Sequence, residues 1–129
     1  MHSDVYANLV NMSQNFQSGD FLVFQLEAGF ALLRFLAVDD GESGKVWHVA
    51  AYGDFFPDVE SAEAAAENNS LPVSNPHLAL SNRAFESTQV ARIINVPLID
   101  IEIEPLAAWR NDPNRHVSDR SVRLLLGLR

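Results

Sequence analysis

Residues 20–38 read DFLVFQLE-AG-FALLRFLAV, two apolar runs separated only by Ala28 and Gly29. This pattern predicts a tight β-hairpin in which Gly29 accepts a positive φ. The turn-forming residues 39–44 follow, and residues 45–52 then alternate between two faces as a third strand does. Three sequential strands joined by short turns predict an antiparallel meander.

Helical patterns flank this meander. An amphipathic N-terminal helix is expected to end at Ser18-Gly19, since glycine adopts the left-handed C-terminal conformation at little cost. Asp58 is expected to cap a middle helix over residues 59–68, and Ser118 to cap a C-terminal helix. The apolar residues at helical spacing are Val5, Leu9, Met12 and Phe16 in the first helix and Val122, Leu125 and Leu126 in the last.

Further strands are expected after the middle helix. Residues 77–80 fit a short strand, residues 84–95 fit either a helix or a strand with 88–94 favoured as a strand, and residues 98–104 fit a strand. Together these elements predict an α+β fold in one domain over residues 1–129. The expected architecture is a curled antiparallel sheet or an SH3-like open barrel with an N-terminal, a middle and a C-terminal helix.

Residues 98–104 also carry the predicted binding site. The isoleucines alternate with Asp100, Glu102 and Glu104, so a strand would place the three carboxylates in a strip on one face. Such a strip can dock a basic protein, bind a divalent metal weakly, or form a solvated face paired with Arg92 or Arg110. Trp109, on a short helix over residues 106–110, would add an aromatic anchor if exposed.

The charge distribution favours a basic partner. Residues 1–69 carry eleven acidic and two basic side chains, a net −9, whereas residues 70–129 carry six acidic and seven basic ones, a net +1. An acidic surface attracts basic proteins and repels nucleic acid. The sequence has no cysteine, signal peptide or membrane-spanning run, which predicts a cytoplasmic protein that binds neither membranes nor nucleic acid.

A second candidate site surrounds His48. His48 and Tyr52 share a face of the third strand and Trp47 lies beside them, so the three could line a pocket with His48 as a general base. A hydrogen-bonded histidine within a sheet is the alternative. The four histidines do not cluster along the sequence, residues 39–44 lack the spacing of a calcium loop, and no phosphate-binding motif occurs, so we expect no metal or cofactor.

The first hairpin resembles that of immunity protein family 26, small bacterial proteins of polymorphic-toxin systems. The resemblance lies in Gly19-Asp20, the apolar strand, the turn glycine Gly29, and a return strand with the pattern aromatic-Ala-x-x-Arg over residues 30–34. It implies an SH3-like barrel that acts by occupying its toxin, and it transfers no catalytic residue. Ribonuclease toxins have a similar first strand, but they need a cationic RNA surface, whereas this region is acidic.

The sequence therefore predicts a non-enzymatic acidic binding protein, such as an immunity protein or inhibitor that neutralises a basic toxin or nuclease. Two alternatives remain open. One is a small-molecule-binding protein or enzyme that uses the pocket near His48. The other is a structural subunit, for example of a homodimer, in which the acidic half of one copy meets the arginine-rich half of another.

Overall fold

A computed structural model describes residues 15–128 and places a five-stranded antiparallel sheet at the centre of the chain. The strands lie in the order β4-β3-β2-β1-β5, and β4 and β5 are the open edges. Their bounds are β1 Asp20–Leu26, β2 Gly29–Gly41, β3 Gly44–Phe56, β4 Val73–Ser81 and β5 Ala91–Asn95. The predicted α+β class and antiparallel sheet are confirmed.

The predicted meander is confirmed, although its first turn consists of Glu27 and Ala28, with Gly29 already in β2, and its strands extend beyond the predicted ends. β1 pairs with β2 from Phe21 opposite Arg34 to Leu26 opposite Gly29, and β2 pairs with β3 as far as Gly41 opposite Gly44. Two register shifts interrupt the second pairing. Bulges of this kind bend long strands, which explains how two strands of thirteen residues curve around a small core.

Four helices occur among the described residues: α1 Val59–Asn68, α2 Asn82–Thr88, α3 Asp100–Arg110 and α4 Val122–Leu126. The prediction for α1 is confirmed, since the Asp58 carboxylate accepts a hydrogen bond from the Ser61 N–H at 2.7 Å. None of the helices within residues 15–128 is long and apolar enough to cross a membrane.

Both sheet faces are covered. One face packs against α2 and α4 around Phe35, Trp47 and Phe85. The other packs against α1 around Phe21 and Tyr52. Alternation along the strands sends successive side chains to opposite layers, so the buried residues of each strand serve two cores. α3 lies on the α1 side, where it contacts Arg34 and His48.

Several predicted boundaries are wrong. Residues 84–95 divide between α2 and β5, and residues 77–80 belong to the longer β4. The C-terminal helix is capped by Ser121, whose hydroxyl accepts from the Leu124 N–H, because Ser118 instead joins the edge of β4 in a parallel bridge with Leu80. The predicted N-terminal helix lies mostly outside the described residues, although Phe16 packs on Phe35 and Phe85.

The largest correction concerns residues 98–104, which were predicted to form a strand. They begin α3, which runs on through Pro105 to Arg110. Asp100 and Glu102 in the first turn and Arg110 in the last suit the helix dipole. The carboxylate strip predicted from strand geometry therefore does not form, because residues two apart in a helix do not lie on the same face.

Candidate functional site

Glu102 faces the sheet and fixes the start of α3. One carboxylate oxygen accepts the Ile99 backbone N–H at 3.0 Å, and the other accepts from Arg34 Nη1 at 2.9 Å. The first bond satisfies a backbone donor that the beginning of a helix leaves free. Among residues 15–128, Glu102 is thus the one of the three predicted carboxylates that pairs with a basic side chain.

Arg34 is fully buried and binds five other parts of the chain. Its guanidinium lies 4.3 Å from the centre of the Phe21 ring. Its hydrogen-bond acceptors are the carbonyl oxygens of Gly19, Val96 and Pro97, the Tyr52 hydroxyl, the Asn69 side chain and Glu102. Because a guanidinium has five N–H donors, this set of acceptors leaves it no free donor for a ligand.

Asp100 and Glu104 lie together on the outer face of α3, four residues apart and one turn from each other. Both are exposed, and neither has an ion-pair partner within residues 15–128. Arg92 and Arg110, the partners considered for them, contact Asp20 and Asp39 instead. Two of the three predicted carboxylates are therefore available to a partner molecule.

Apolar side chains are exposed beside these carboxylates. Ile101 is 68% exposed, and Ile99 and Ile103 are also exposed. On the opposing β4 edge, Val73 is 51% exposed. Large apolar side chains that stay in water within one neighbourhood are typical of surfaces that bind other molecules. These residues were not predicted as part of a site, because a strand would have turned the isoleucines into the core.

A groove of about 260 Å³ lies between α3 and the sheet. Its walls are Ile101 and Pro105 from α3 and Val73 and Pro76 from β4, and its floor includes Ala50 and Tyr52 from β3. We call this depression the α3 groove. Its lining is almost entirely carbon, since the polar groups at its base already bond to one another.

The C-terminal end of α3 packs on a pair of histidines. His48 Nδ1 lies 2.9 Å from His77 Nε2, and His48 Nε2 lies 3.1 Å from Asp39 Oδ2. Because an ionised carboxylate only accepts, the proton of neutral His48 lies on Nε2, and Nδ1 accepts from His77. The Trp109 ring packs edge-on against His48, with centroids 4.7 Å apart.

Burial sets the charge state of this cluster. It lowers the pKa of His48 despite the opposing effect of Asp39. Burial also lowers the pKa of His77, to about 4, with further contributions from His48 and Arg110. Hydrogen bonds from Arg110 hold the pKa of the Asp39 carboxyl below its usual value. At neutral pH the cluster therefore consists of two neutral imidazoles beside an Arg110–Asp39 ion pair.

The predicted pocket of His48, Trp47 and Tyr52 is not assembled. His48 is 0% exposed, so the expected access to its ring is absent. Trp47 points to the opposite sheet face, where it stacks on Phe85 at 4.3 Å and donates to Asn82. Tyr52 belongs to the Arg34 network. His48 fits the alternative of a hydrogen-bonded histidine within a sheet.

Trp109 is half-buried and belongs to the attachment of α3 rather than to its outer face. Its Nε1 donates to the His116 carbonyl at 2.8 Å, and the Arg115 guanidinium lies 5.4 Å from the ring centre. Within the part of the chain that the structure describes, no group of three histidine or acidic residues is arranged to hold a metal ion. The candidate site is therefore the outer face of α3 together with the α3 groove.

No protein-family model matches the chain, and neither a curated protein nor a solved structure matches it.

Proposed function

We propose that this protein is a non-enzymatic acidic binding protein that docks a basic protein on the outer face of α3. The observation that carries the proposal is the exposure of Ile101 beside two carboxylates, Asp100 and Glu104, that pair with no cation among residues 15–128. An apolar centre with a charged rim is the usual anatomy of a protein interface.

The charges and the apolar residues have different tasks in this proposal. A formal charge of −8 speeds the encounter with a basic partner, and Asp100 and Glu104 orient it. Ile101 and the apolar rim of the α3 groove then slow dissociation, because they are desolvated only in the complex. The same negative charge disfavours nucleic acid as a partner.

The partner class that fits best is a basic toxin or nuclease domain, with this chain acting as a bacterial cytoplasmic immunity protein or inhibitor. The resemblance of the first hairpin to immunity protein family 26 supports this interpretation and stays a prediction, as does the SH3-like barrel it implies. Arg34 donates to the Gly19 carbonyl at 3.0 Å. These two residues of the resemblance therefore contact each other within the fold and do not form part of the proposed binding face. Inhibition would occur by occupancy of the toxin surface.

The homodimer stays a prediction and is less favoured. Each copy carries a formal charge of −8, so association of two copies has to overcome net repulsion. The small-molecule alternative is less favoured because His48 is buried and its ring nitrogens already have partners.

A charge-reversal experiment tests the proposal. The protein is used to capture partners from lysate of its source cell, and each captured protein is then purified and its association and dissociation rates are measured by surface plasmon resonance. We expect the double variant Asp100→Lys/Glu104→Lys to bind at least about tenfold more weakly, mainly through slower association. Glu60→Lys/Glu67→Lys on α1 is the matched control, because it reverses two exposed helix carboxylates and changes the net charge equally.

Equal weakening of binding by both double variants would show that net charge alone causes it, and would overturn the assignment of the binding face to α3. Failure of α3 reversal to weaken any captured complex would overturn it as well.

A further inference from the structure

We infer that the α3 groove receives one aliphatic or aromatic side chain of the basic partner, next to a lysine or arginine that pairs with Glu104. The inference rests on the proposed function, which supplies the basic partner, and adds the chemistry of its anchor residue. Interfaces commonly concentrate their binding energy in a few side chains that fill pockets on the other protein.

The size of the groove fits a single side chain. It measures about 260 Å³, whereas an apolar cavity of about 150 Å³ is enough to bind benzene. A leucine, phenylalanine or tryptophan side chain can therefore enter. The exposed Ile101 and Val73 form opposite rims, so an inserted side chain would cover both.

The bonding at the base of the groove favours an apolar ligand over a polar one. Arg34 has no free donor, and the two oxygens of Glu102 accept from Ile99 and Arg34. The Tyr52 hydroxyl lies 3.2 Å from Arg34 Nη1. Throughout residues 15–128, no buried side-chain nitrogen or oxygen lacks a hydrogen-bond partner. A polar group that entered would exchange its water for a lining made almost entirely of carbon, whereas an apolar group has no hydrogen bonds to lose.

The rim adds the requirement for a cation. Glu104 follows Ile101 by three residues, so it lies on the adjacent turn of the same helix face. Asp100 precedes Glu104 by one turn. A partner residue that fills the groove thus has carboxylates within reach of its neighbours in sequence, and a neighbouring lysine or arginine gains an ion pair there.

Peptide display tests this inference even while the partner is unidentified. A random linear peptide library is selected on the purified full-length protein, and the enriched peptides are synthesised and measured by fluorescence anisotropy. We expect peptides in which a large apolar residue lies within two positions of lysine or arginine. Ile101→Ser and Val73→Ser should each weaken binding about tenfold, the effect of losing one apolar contact.

Leu124→Ser is the matched control, because Leu124 is also an exposed helical residue, 72% exposed, but lies on α4 at the other sheet face. Isoleucine, leucine and serine differ little in helix propensity, and these side chains are largely in water, so the variants should fold. We expect the control to change affinity less than about twofold.

The outcomes separate this inference from the proposed function. Basic peptides that bind Ile101→Ser as tightly as the unaltered protein, yet lose affinity on α3 charge reversal, would overturn the groove and keep the function. Peptides that need Ile101 but lack basic residues and ignore charge reversal would overturn the function. Failure to enrich any peptide, or a self-association that Ile101→Ser abolishes, would overturn the groove as a site for a partner side chain.

Discussion

His77 should make the free energy of unfolding fall as the pH is lowered from neutrality. Burial, followed by His48 and Arg110, lowers its pKa from 6.5 to about 4. Unfolding exposes the ring and restores its ordinary pKa, so between these values the unfolded chain binds a proton that the folded chain does not. At about 1.4 kcal/mol for each tenfold change in proton affinity, the difference in the pKa of His77 lowers the free energy of unfolding by about 3 kcal/mol.

The direction of the change in stability and the pH range over which it occurs both follow from this difference in pKa. Above pH 6.5 neither state protonates His77, and its stabilising contribution is complete. The contribution is lost progressively as the pH falls to about 4, and no further loss from this group occurs below that value. His48, whose pKa is also lowered by burial, changes stability in the same direction.

Urea denaturation between about pH 7 and pH 4 measures this effect. Other groups titrate in this range, so the comparison is with His77→Gln, whose free energy of unfolding should fall by about 3 kcal/mol less. The control is His116→Gln, since His116 is exposed and uses only its backbone carbonyl to hold Trp109. Equal pH dependence in all three proteins, or an NMR titration of folded His77 near its ordinary pKa, would refute the reasoning.

Three further substitutions test the scaffold by urea denaturation. Arg34→Lys should lower the free energy of unfolding by about 3–5 kcal/mol. The reason is that an ammonium cannot replace a buried guanidinium that binds Glu102 and its other acceptors. A loss below about 1 kcal/mol would refute this. Ser121→Ala should cost about 1 kcal/mol through loss of the α4 cap, and no change would show that the cap adds nothing. Gly19→Ala should lower the free energy of unfolding more than Gly44→Ala does. Both glycines have positive φ, but of the two only an alanine at position 19 would place its Cβ 2.5 Å from a carbonyl oxygen. Equal losses of stability would contradict this contact.

The elements that the sequence predicts correctly are those specified by adjacent residues. The hairpin needs only two apolar runs and a short break between them, and the register from Phe21 opposite Arg34 follows from the two-residue connection that precedes Gly29. α1 needs only a capping residue and a short run of helix formers after it. Such signals are complete within about ten residues, so they do not depend on the rest of the fold.

The strand prediction for residues 98–104 is wrong because the same alternation of residues is compatible with a strand and with a helix. Isoleucine and acidic residues alternate through the segment, which is the pattern of a half-buried strand. In α3 the sheet-facing residues are instead Glu102, Leu106 and Trp109, at helical spacing. The acidic first turn and the basic last turn were the available signal for a helix. The buried pairing of Glu102 with Arg34, 68 residues away, outweighs the local alternation.

Asp100 and Glu104 of the candidate site are predicted from the sequence, but the α3 groove and the contacts that hold α3 lay beyond sequence reasoning because they join distant elements. Arg34 is the one charged residue in the apolar run 30–38, which marks it as a buried group that needs partners, but its acceptors lie on five other segments. The His48–His77 pair likewise depends on β4 lying beside β3, where His48 is opposite Ala79. Neither arrangement can be inferred before the order of the strands is known.

The attachment of α3 at both of its ends bears directly on the proposed function. Glu102 ties the first turn to Arg34, and at the last turn Arg110 binds Asp39 while Trp109 packs on His48. A helix held in this way presents Ile101 and Glu104 in a fixed arrangement, so little conformational entropy is lost when a partner binds. The buried polar networks of this protein therefore serve recognition indirectly, since they position an outer face whose own side chains are free to meet another molecule.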